Sequence, residues 1–470
     1  MTTLQTILNV ALLVFVVVML FNIIIFVHEL GHFLAGKWRG LQIDRFQIWF
    51  GKPIWKKEYK GVQYGLGWIP AGGFVALPQM APMEAIEGGD RDRKPLPPIT
   101  PLDKIIVAFA GPLFSVLLAL LAGVIVWNVG KPKDFVPSTV VGYVEEGDPA
   151  DKAGIRVGDK ILEINGEAVN GFAGSLESIT ERIVLSSGNK IKFKIQRPGI
   201  EKPIPIVCKF KIAESKWFQR RALREVGIGP EGPAIIAGVY KNSPANKKGL
   251  KEGDQVMKVD GEKLYSDVQL IQYLKNRDYK TVVLEVKKKD GELVNVEVTP
   301  AKPLPPSKRD PMLGVLWDQK AGIDFRIVHP DPITQVTDTV KMMWITVTKV
   351  ADPNSNIGID HLSGPVGIGE LLYNLLQTED GWRRILSFLV LFNINLAVLN
   401  MLPFPVLDGG HITMAILEKI FGKPIPIKPL EIIQTACVLM LMSLMLYVTS
   451  KDIGDRFGRG DPEKKIRFAK

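Results

Sequence analysis

The residues best suited to chemistry in this 470-residue chain lie at Ile23–His32, which reads IIIFVHELGH. His28 and His32 are four residues apart, just over one helical turn, so both imidazoles project from one face. Glu29 stands beside the first. Two helical imidazoles at this spacing can share a metal ion, and an adjacent carboxylate can take a proton from an activated water. H-E-x-x-H also arises by chance on soluble helices. This copy closes a long apolar segment, where ionisable groups are expensive and generally functional. The competing reading is two satisfied or snorkelling histidines at a helix end.

The elements that must position these groups are apolar segments near the two ends of the chain. Residues 5–27, 103–128, 385–402 and 431–449 are each long and apolar enough to cross a ~30 Å hydrocarbon core. Residues 1–27 carry no Lys or Arg, whereas Lys37, Arg39, Arg45, Lys52, Lys56, Lys57 and Lys60 follow closely, then Arg91, Arg93 and Lys94. The positive-inside rule therefore puts the amino terminus outside and residues 33–101 in the cytoplasm. With no basic n-region, the first segment reads as a retained span rather than a cleaved leader. The net charge of +10 fits membrane-flanking lysine and arginine. No nucleic-acid motif accompanies it. Cys208 and Cys437 imply no disulfide framework.

Between the first two spans, Val62–Leu77 reads VQYGLGWIPAGGFVAL, a strand-and-turn composition. It is either an ordinary cytoplasmic hairpin or an edge strand dipping to the site. Residues 136–300 hold an internal repeat with an offset of 95. Asp148-Pro149-Ala150, Gly158-Asp159 and Asn165-Gly166 match Ser243-Pro244-Ala245, Gly253-Asp254 and Asp260-Gly261. Each copy resembles a PDZ domain of the bacterial-protease form, a fold that binds extended peptides by strand addition. Val226–Gly229 resembles a carboxylate-binding loop of the second copy. Asp331-Pro332 reads as a helix start. Ile333, Val336, Val340, Met343, Trp344 and Val347 then form one apolar stripe, for a membrane surface or a PDZ domain. The third span runs into FNINLAVLNMLPFPVLDGGH, with Asn393, Asn395 and Asn400 at membrane depth. Asp408 sits just past Pro403 and Pro405. If the middle region stays on one side, spans one and three run the same way. His28, His32 and Asp408 then reach one leaflet. Four crossings leave the basic tail outside, against the positive-inside rule.

HELGH in a first membrane helix, a Pro-x-Gly-Gly-Phe-Val hairpin, paired PDZ copies and NMLPFPVLDGG together resemble the site-2 protease family. The resemblance covers nearly the whole chain. It implies a multi-domain membrane protein, with an α-helical transmembrane core of four spans and two periplasmic α+β PDZ domains. The expected organisation is 1–135 for the first two spans with the re-entrant hairpin (62–77), then 136–222 and 223–302 for the PDZ domains. Residues 303–380 are a linker and amphipathic helix, 381–450 the last two spans, and 451–470 a basic tail. The resemblance further implies that His28, His32 and Asp408 bind Zn2+, that Glu29 activates water, and that Asn395 and Asn400 line the substrate site. The hairpin residues Pro70, Gly72, Gly73, Phe74 and Val75 would hold substrate as an added strand.

The implied activity is hydrolysis within the transmembrane segment of single-pass proteins in a bacterial inner membrane, near the cytoplasmic leaflet. Implied substrates are an anti-sigma factor after shedding and remnant signal peptides. Membrane lipid, and peptide C-termini at the PDZ grooves, are the other expected partners. Ser115 departs from the expected pattern, a difference expected to touch helix packing rather than chemistry. Two other functions fit parts of the sequence. One is a non-enzymatic PDZ scaffold. The other is a membrane-tethered zinc peptidase for soluble peptides, with a third ligand such as Glu58, Glu84 or Glu87, or with His411 in place of Asp408.

Overall fold

The computed structural model describes residues 3–80, 96, 97, 99–305, 307, 309–423, 427–458, 466 and 468. Expectations for Glu84, Glu87, Arg91, Arg93, Lys94 and most of the tail after Gly458 therefore fall outside the described residues. The chain divides into two compact units. One comprises 1–132, 327–347 and 362–453, and the other 133–326, 348–361 and 454–470.

The first unit contains four helices long and apolar enough to cross a membrane: Val14–Trp38, Pro101–Val129, Gly381–Asn400 and Pro429–Phe457. The first helix runs from Thr3 to Trp38, well past the segment end expected at residue 27. His28 and His32 are therefore inside a continuous helix rather than at its frayed end. A Cβ on Gly31 would lie 2.4 Å from the Ala110 carbonyl, so this glycine lets the first two helices approach closely. Thr100 and Asp103 form a reciprocal cap at the start of the second helix. Arg39 also donates to Asp103 at 2.6 Å, pinning the end of the first helix to that cap.

Two helices absent from the expected spans complete this unit. Pro365–Gln377 starts at amides of Gly364 and Gly367 that donate to buried Asp452. Asp408–Phe421 starts directly after the Pro-rich break and is tied to the second helix by Lys104–Glu418 at 2.6 Å. The amphipathic helix Pro332–Ala351 forms as expected. Its Gln335 is buried and donates to the Gly123 carbonyl of the second helix. Ile333, Val340, Trp344 and Val347 of its apolar stripe point outward.

The hairpin is larger than Val62–Leu77 alone. Strands Arg45–Tyr59 and Val62–Ala76 fold on each other so that Arg45–Ile48 lies between Gln63–Leu66 and Gly73–Ala76. Pro53–Tyr59 pairs outside Val62–Gly67. Gly73–Ala76 is thus an outer strand of the sheet. Trp49 takes φ +67, and its indole donates to Asn22 on the first helix at 2.6 Å.

The second unit holds two modules of the same element order. The first has a sheet in the order Glu167–Ala168, Lys160–Ile164, Ile191–Gln196, Ile204–Cys208, plus Val141–Val144 paired with Ile228–Pro230. The second is ordered Leu293–Val298, Val282–Lys287, Gln255–Val259, Ala234–Val239, Val315–Trp317. Each has its own apolar core, built on Phe193 and Ile195 in one and Leu270 and Leu284 in the other. Asn165 and Asp260 adopt the positive φ that their Asn/Asp-Gly hairpin turns require.

One expectation is corrected here. Val226–Gly229 belongs to the first module, not the second: Val226 is in the first core, and Ile228 and Gly229 pair with Val144 and Tyr143. The corresponding strand of the second module is Val315–Trp317. The first module thus extends through Pro230 and the second through Trp317, beyond the boundaries at 222 and 302. In both, the closing strand follows a long connection, and nothing local in sequence marks it. Both cysteines are free, and burial pushes the Cys208 thiol up to about 11.

Candidate active site

His28 and His32 lie on one face of the first helix, as their spacing requires, with Nε2 atoms 3.3 Å apart. Asp408, the first residue of the Asp408–Phe421 helix, brings its carboxylate to them across about 380 residues of chain. Its oxygens stand 3.3 Å from His28 Nε2 and 3.3 Å from His32 Nε2. Among the described residues, these three are the one group of His, Cys, Asp or Glu whose ligand atoms all fall within 4.8 Å of one another.

The second helix holds the far side of both rings. His32 Nδ1 is 2.8 Å from the Val107 carbonyl and His28 Nδ1 is 3.0 Å from Ser115 Oγ. A carbonyl can only accept, so His32 carries its proton on Nδ1 and presents the lone pair of Nε2 inward. Gly111 lies between these two contacts. A Cβ there would sit 2.2 Å from His32 Nε2 and 2.9 Å from His28 Nε2. Val107, Gly111 and Ser115 recur every four residues and form one face toward the imidazoles. Ser115 thus stands against a candidate ligand, although its departure is expected to touch helix packing more than chemistry. The spacing was visible in the sequence, but its meaning depended on knowing which helix faces the first.

A cavity of about 240 Å³ opens at this centre. Its lining includes Glu29, Gly73, Phe74, Val75, Asn400 and His411. A Cβ on Gly73 would lie 3.4 Å from Glu29 Cγ, which places the outer strand of the sheet against the candidate base. Asn400 Nδ2 is 3.3 Å from His28 Nε2. Other expected residues are not brought to the cavity. Pro70 is exposed, Gly72 packs against the Phe50 ring, and Asn395 is outside the lining. Asn393 is the fully buried asparagine of its helix, donating to the Leu389 carbonyl. Of the alternative third ligands, Glu58 is exposed on the sheet. His411 lines the cavity with Nδ1 buried and unpartnered, outside the three-residue cluster.

The donor set fits a zinc ion. Two imidazole nitrogens and a carboxylate are three of four tetrahedral ligands, leaving one position open. Buried Asp408 Oδ2 has no hydrogen bond, as expected of an oxygen meant for a cation. Both imidazoles have their outer nitrogens engaged, the outer-shell pattern of metal-ligating histidines.

Membrane-crossing helices that enclose such a centre define an intramembrane metalloprotease. The chain matches the model of peptidase family M50 over residues 15–444 and belongs to that family, the site-2 proteases. It is similar to the regulator of sigma-E protease RseP of Escherichia coli K12, 26% identical over 459 residues, covering 91% of this chain and 95% of that protein. Protease RseP of Yersinia pestis is 26% identical over 441 residues, with 91% and 95% covered. A Pasteurella multocida protein named as a zinc metalloprotease is 26% identical over 466 residues, with 93% and 97% covered.

Proposed function

We propose that His28, His32 and Asp408 hold the zinc and that Glu29 is the general base for cleavage of a peptide bond inside a substrate's transmembrane segment. The observation that carries this reading is the convergence of Asp408 on both imidazoles beside an outer β-strand. When bound, zinc would supply a Lewis acid that acidifies water and polarises the scissile carbonyl. Glu29 accepts the proton of the attacking water and returns it to the leaving amine, a role worth about 10²–10⁴-fold in rate. A helical amide is shielded by its own hydrogen bonds, so the substrate unwinds first. Gly73–Ala76 pairs with the freed backbone as an added strand, and the Asn400 amide takes a remaining polar group.

The substrates are single-pass membrane proteins that have lost their outer bulk, such as an anti-sigma factor after shedding or remnant signal peptides. The two modules act as PDZ domains on the outer side of a bacterial inner membrane. The repeat, the Asn/Asp-Gly turns and the matched strand order support that reading. The basic residues 37–60 support a cytoplasmic site.

The test is co-expression with a truncated single-pass substrate. Wild type is expected to cleave it, whereas Glu29→Gln keeps a full zinc complement and loses cleavage. Retained cleavage by Glu29→Gln removes the base assignment.

A further inference from the structure

The two modules differ at one matched position. In each, the amide of a matched alanine donates to a carbonyl just before a positive-φ glycine: Ala150 to Val226 before Gly227, and Ala245 to Leu313 before Gly314, both at 2.9 Å. Each glycine packs against the residue that caps the following short helix. In the first module that residue is Asp148, and a Cβ on Gly227 would lie 2.3 Å from its Oδ2. The Asp148 carboxylate is paired with Lys211 of the same module at 2.6 Å. The charged niche is answered locally.

In the second module the cap is Ser243, whose hydroxyl accepts from the Asn246 amide. No carboxylate stands there to recruit a lysine. The niche is instead filled by an aromatic ring from far along the chain. Phe468 Cε2 would lie 2.9 Å from a Cβ on Gly314, and its ring is 6.3 Å from that of Tyr240 at 49°. Phe468 is only 6% exposed, although it lies ten residues beyond Gly458, the last residue of the final helix. Lys464, Lys465, Arg467 and Lys470 around it are basic, and the large apolar groups of the stretch are Ile466, half-buried, and the Phe468 ring, which has the most to gain by leaving water. One buried ring contributes only about 2 kcal/mol, a contact weak enough to exchange.

We propose that Tyr240, Ser243 and Gly314 form a binding site for an aromatic side chain of a basic peptide, and that Phe468 occupies it as an intramolecular ligand. The site is independent of the metal centre. A competing peptide that presents an aromatic residue in a basic context displaces the tail, so occupancy reports whether such a segment is at hand.

The probe is a fluorescent synthetic peptide of residues 461–470, titrated into the purified full-length protein in detergent. Phe468→Ala vacates the site, so that variant is expected to bind the peptide at least tenfold more tightly than wild type. The same peptide with Phe468 replaced by Ala is expected not to bind. Adding Tyr240→Ala to the Phe468→Ala protein removes the ring that faces the aromatic side chain, and is expected to weaken binding at least tenfold. Equal affinity for wild type and Phe468→Ala overturns the proposal, and so does binding that is undiminished by Tyr240→Ala. A zinc or activity defect unrelated to peptide binding leaves these readouts unchanged, which separates this site from the metal centre.

Discussion

Buried aspartates occur in both units, and their partners differ. In the modules, Asp159 and Asp254 occupy matched positions of the repeat, both almost fully buried. Each accepts from a backbone amide three residues earlier and from a cation of its own module: Asp159 from Arg156 N and Arg197, Asp254 from Lys251 N and Lys288. In the membrane unit, Asp408 faces two imidazoles whose outer nitrogens are already committed, and one of its oxygens is buried without a hydrogen bond. Burial of a carboxylate is costly in both places. The modules offset that cost with a cation just past the end of a neighbouring strand, so the charge is structural. At Asp408 the positive charge is left to be supplied by an ion, so the charge is functional.

The largest effect that sharpens this contrast comes from removing the functional carboxylate. Asp408→Ala is expected to reduce proteolysis to background and to strip zinc from the purified protein, with the helices still formed. Metal analysis by mass spectrometry checks it, and a full zinc complement in that variant ends the assignment of the third ligand. The matched change in a module has the opposite signature. Asp159→Ala takes the buried carboxylate away from the partly exposed Arg197 guanidinium and from the Arg156 amide, and is expected to destabilise the first module by about 1–3 kcal/mol. Hydrogen exchange of residues 136–230 reads that loss, with zinc content unchanged. A loss of zinc from Asp159→Ala would break the comparison.

The same contrast explains what the sequence discloses. H-E-x-x-H is local: one helix fixes both imidazoles and the adjacent carboxylate, so His28, Glu29 and His32 are readable from spacing alone. The repeat is readable because each module folds within about a hundred residues, with Asn/Asp-Gly turns at fixed offsets. Asp408 is reached only by counting crossings, and its place at a helix start is hidden behind Pro403 and Pro405. Gly111 and Ser115 are not readable as site residues, since a four-residue spacing of small side chains describes any close helix contact. Val226–Gly229 reads as part of the second copy for a related reason: strand pairing is non-local, and chain proximity points to the module that follows, whereas the segment pairs in the first. Asn395 was separated from Asn400 by geometry, because five residues on a helix turn a side chain well away from its partner.

A smaller effect is expected one layer out from the metal ligands. Ser115→Ala removes the hydroxyl 3.0 Å from His28 Nδ1 without adding bulk against Gly111. Loss of such a partner typically weakens metal affinity by about 10–100-fold. Competition with a chelator of known affinity measures this, and turnover at saturating zinc is expected to stay near wild type. An unchanged zinc affinity would show that the Val107 carbonyl and helix packing orient the rings without the hydroxyl.

The smallest effect lies at a carboxylate of the structural kind, and it depends on pH. Asp360, in the 348–361 segment of the second unit, accepts from the Arg221 amide and from its guanidinium at 3.0 and 2.8 Å. The guanidinium holds the Asp360 carboxyl well below the usual aspartate range. A carboxyl with a depressed folded pKa adds stability that is present above the ordinary aspartate value of about 4 and is lost as pH falls toward the folded value. Asp360→Asn keeps the shape and removes the charge. Amide exchange in residues 352–361 is therefore expected to be faster in Asp360→Asn than in wild type at pH 7, with the difference shrinking as pH drops below about 4. Arg221 is half-exposed at its tip, so added salt is expected to narrow the difference as well. A difference that stays constant from pH 7 down to pH 3 would mean that the contact acts through shape, and that charge pairing does not set the modules apart from the metal centre at this position.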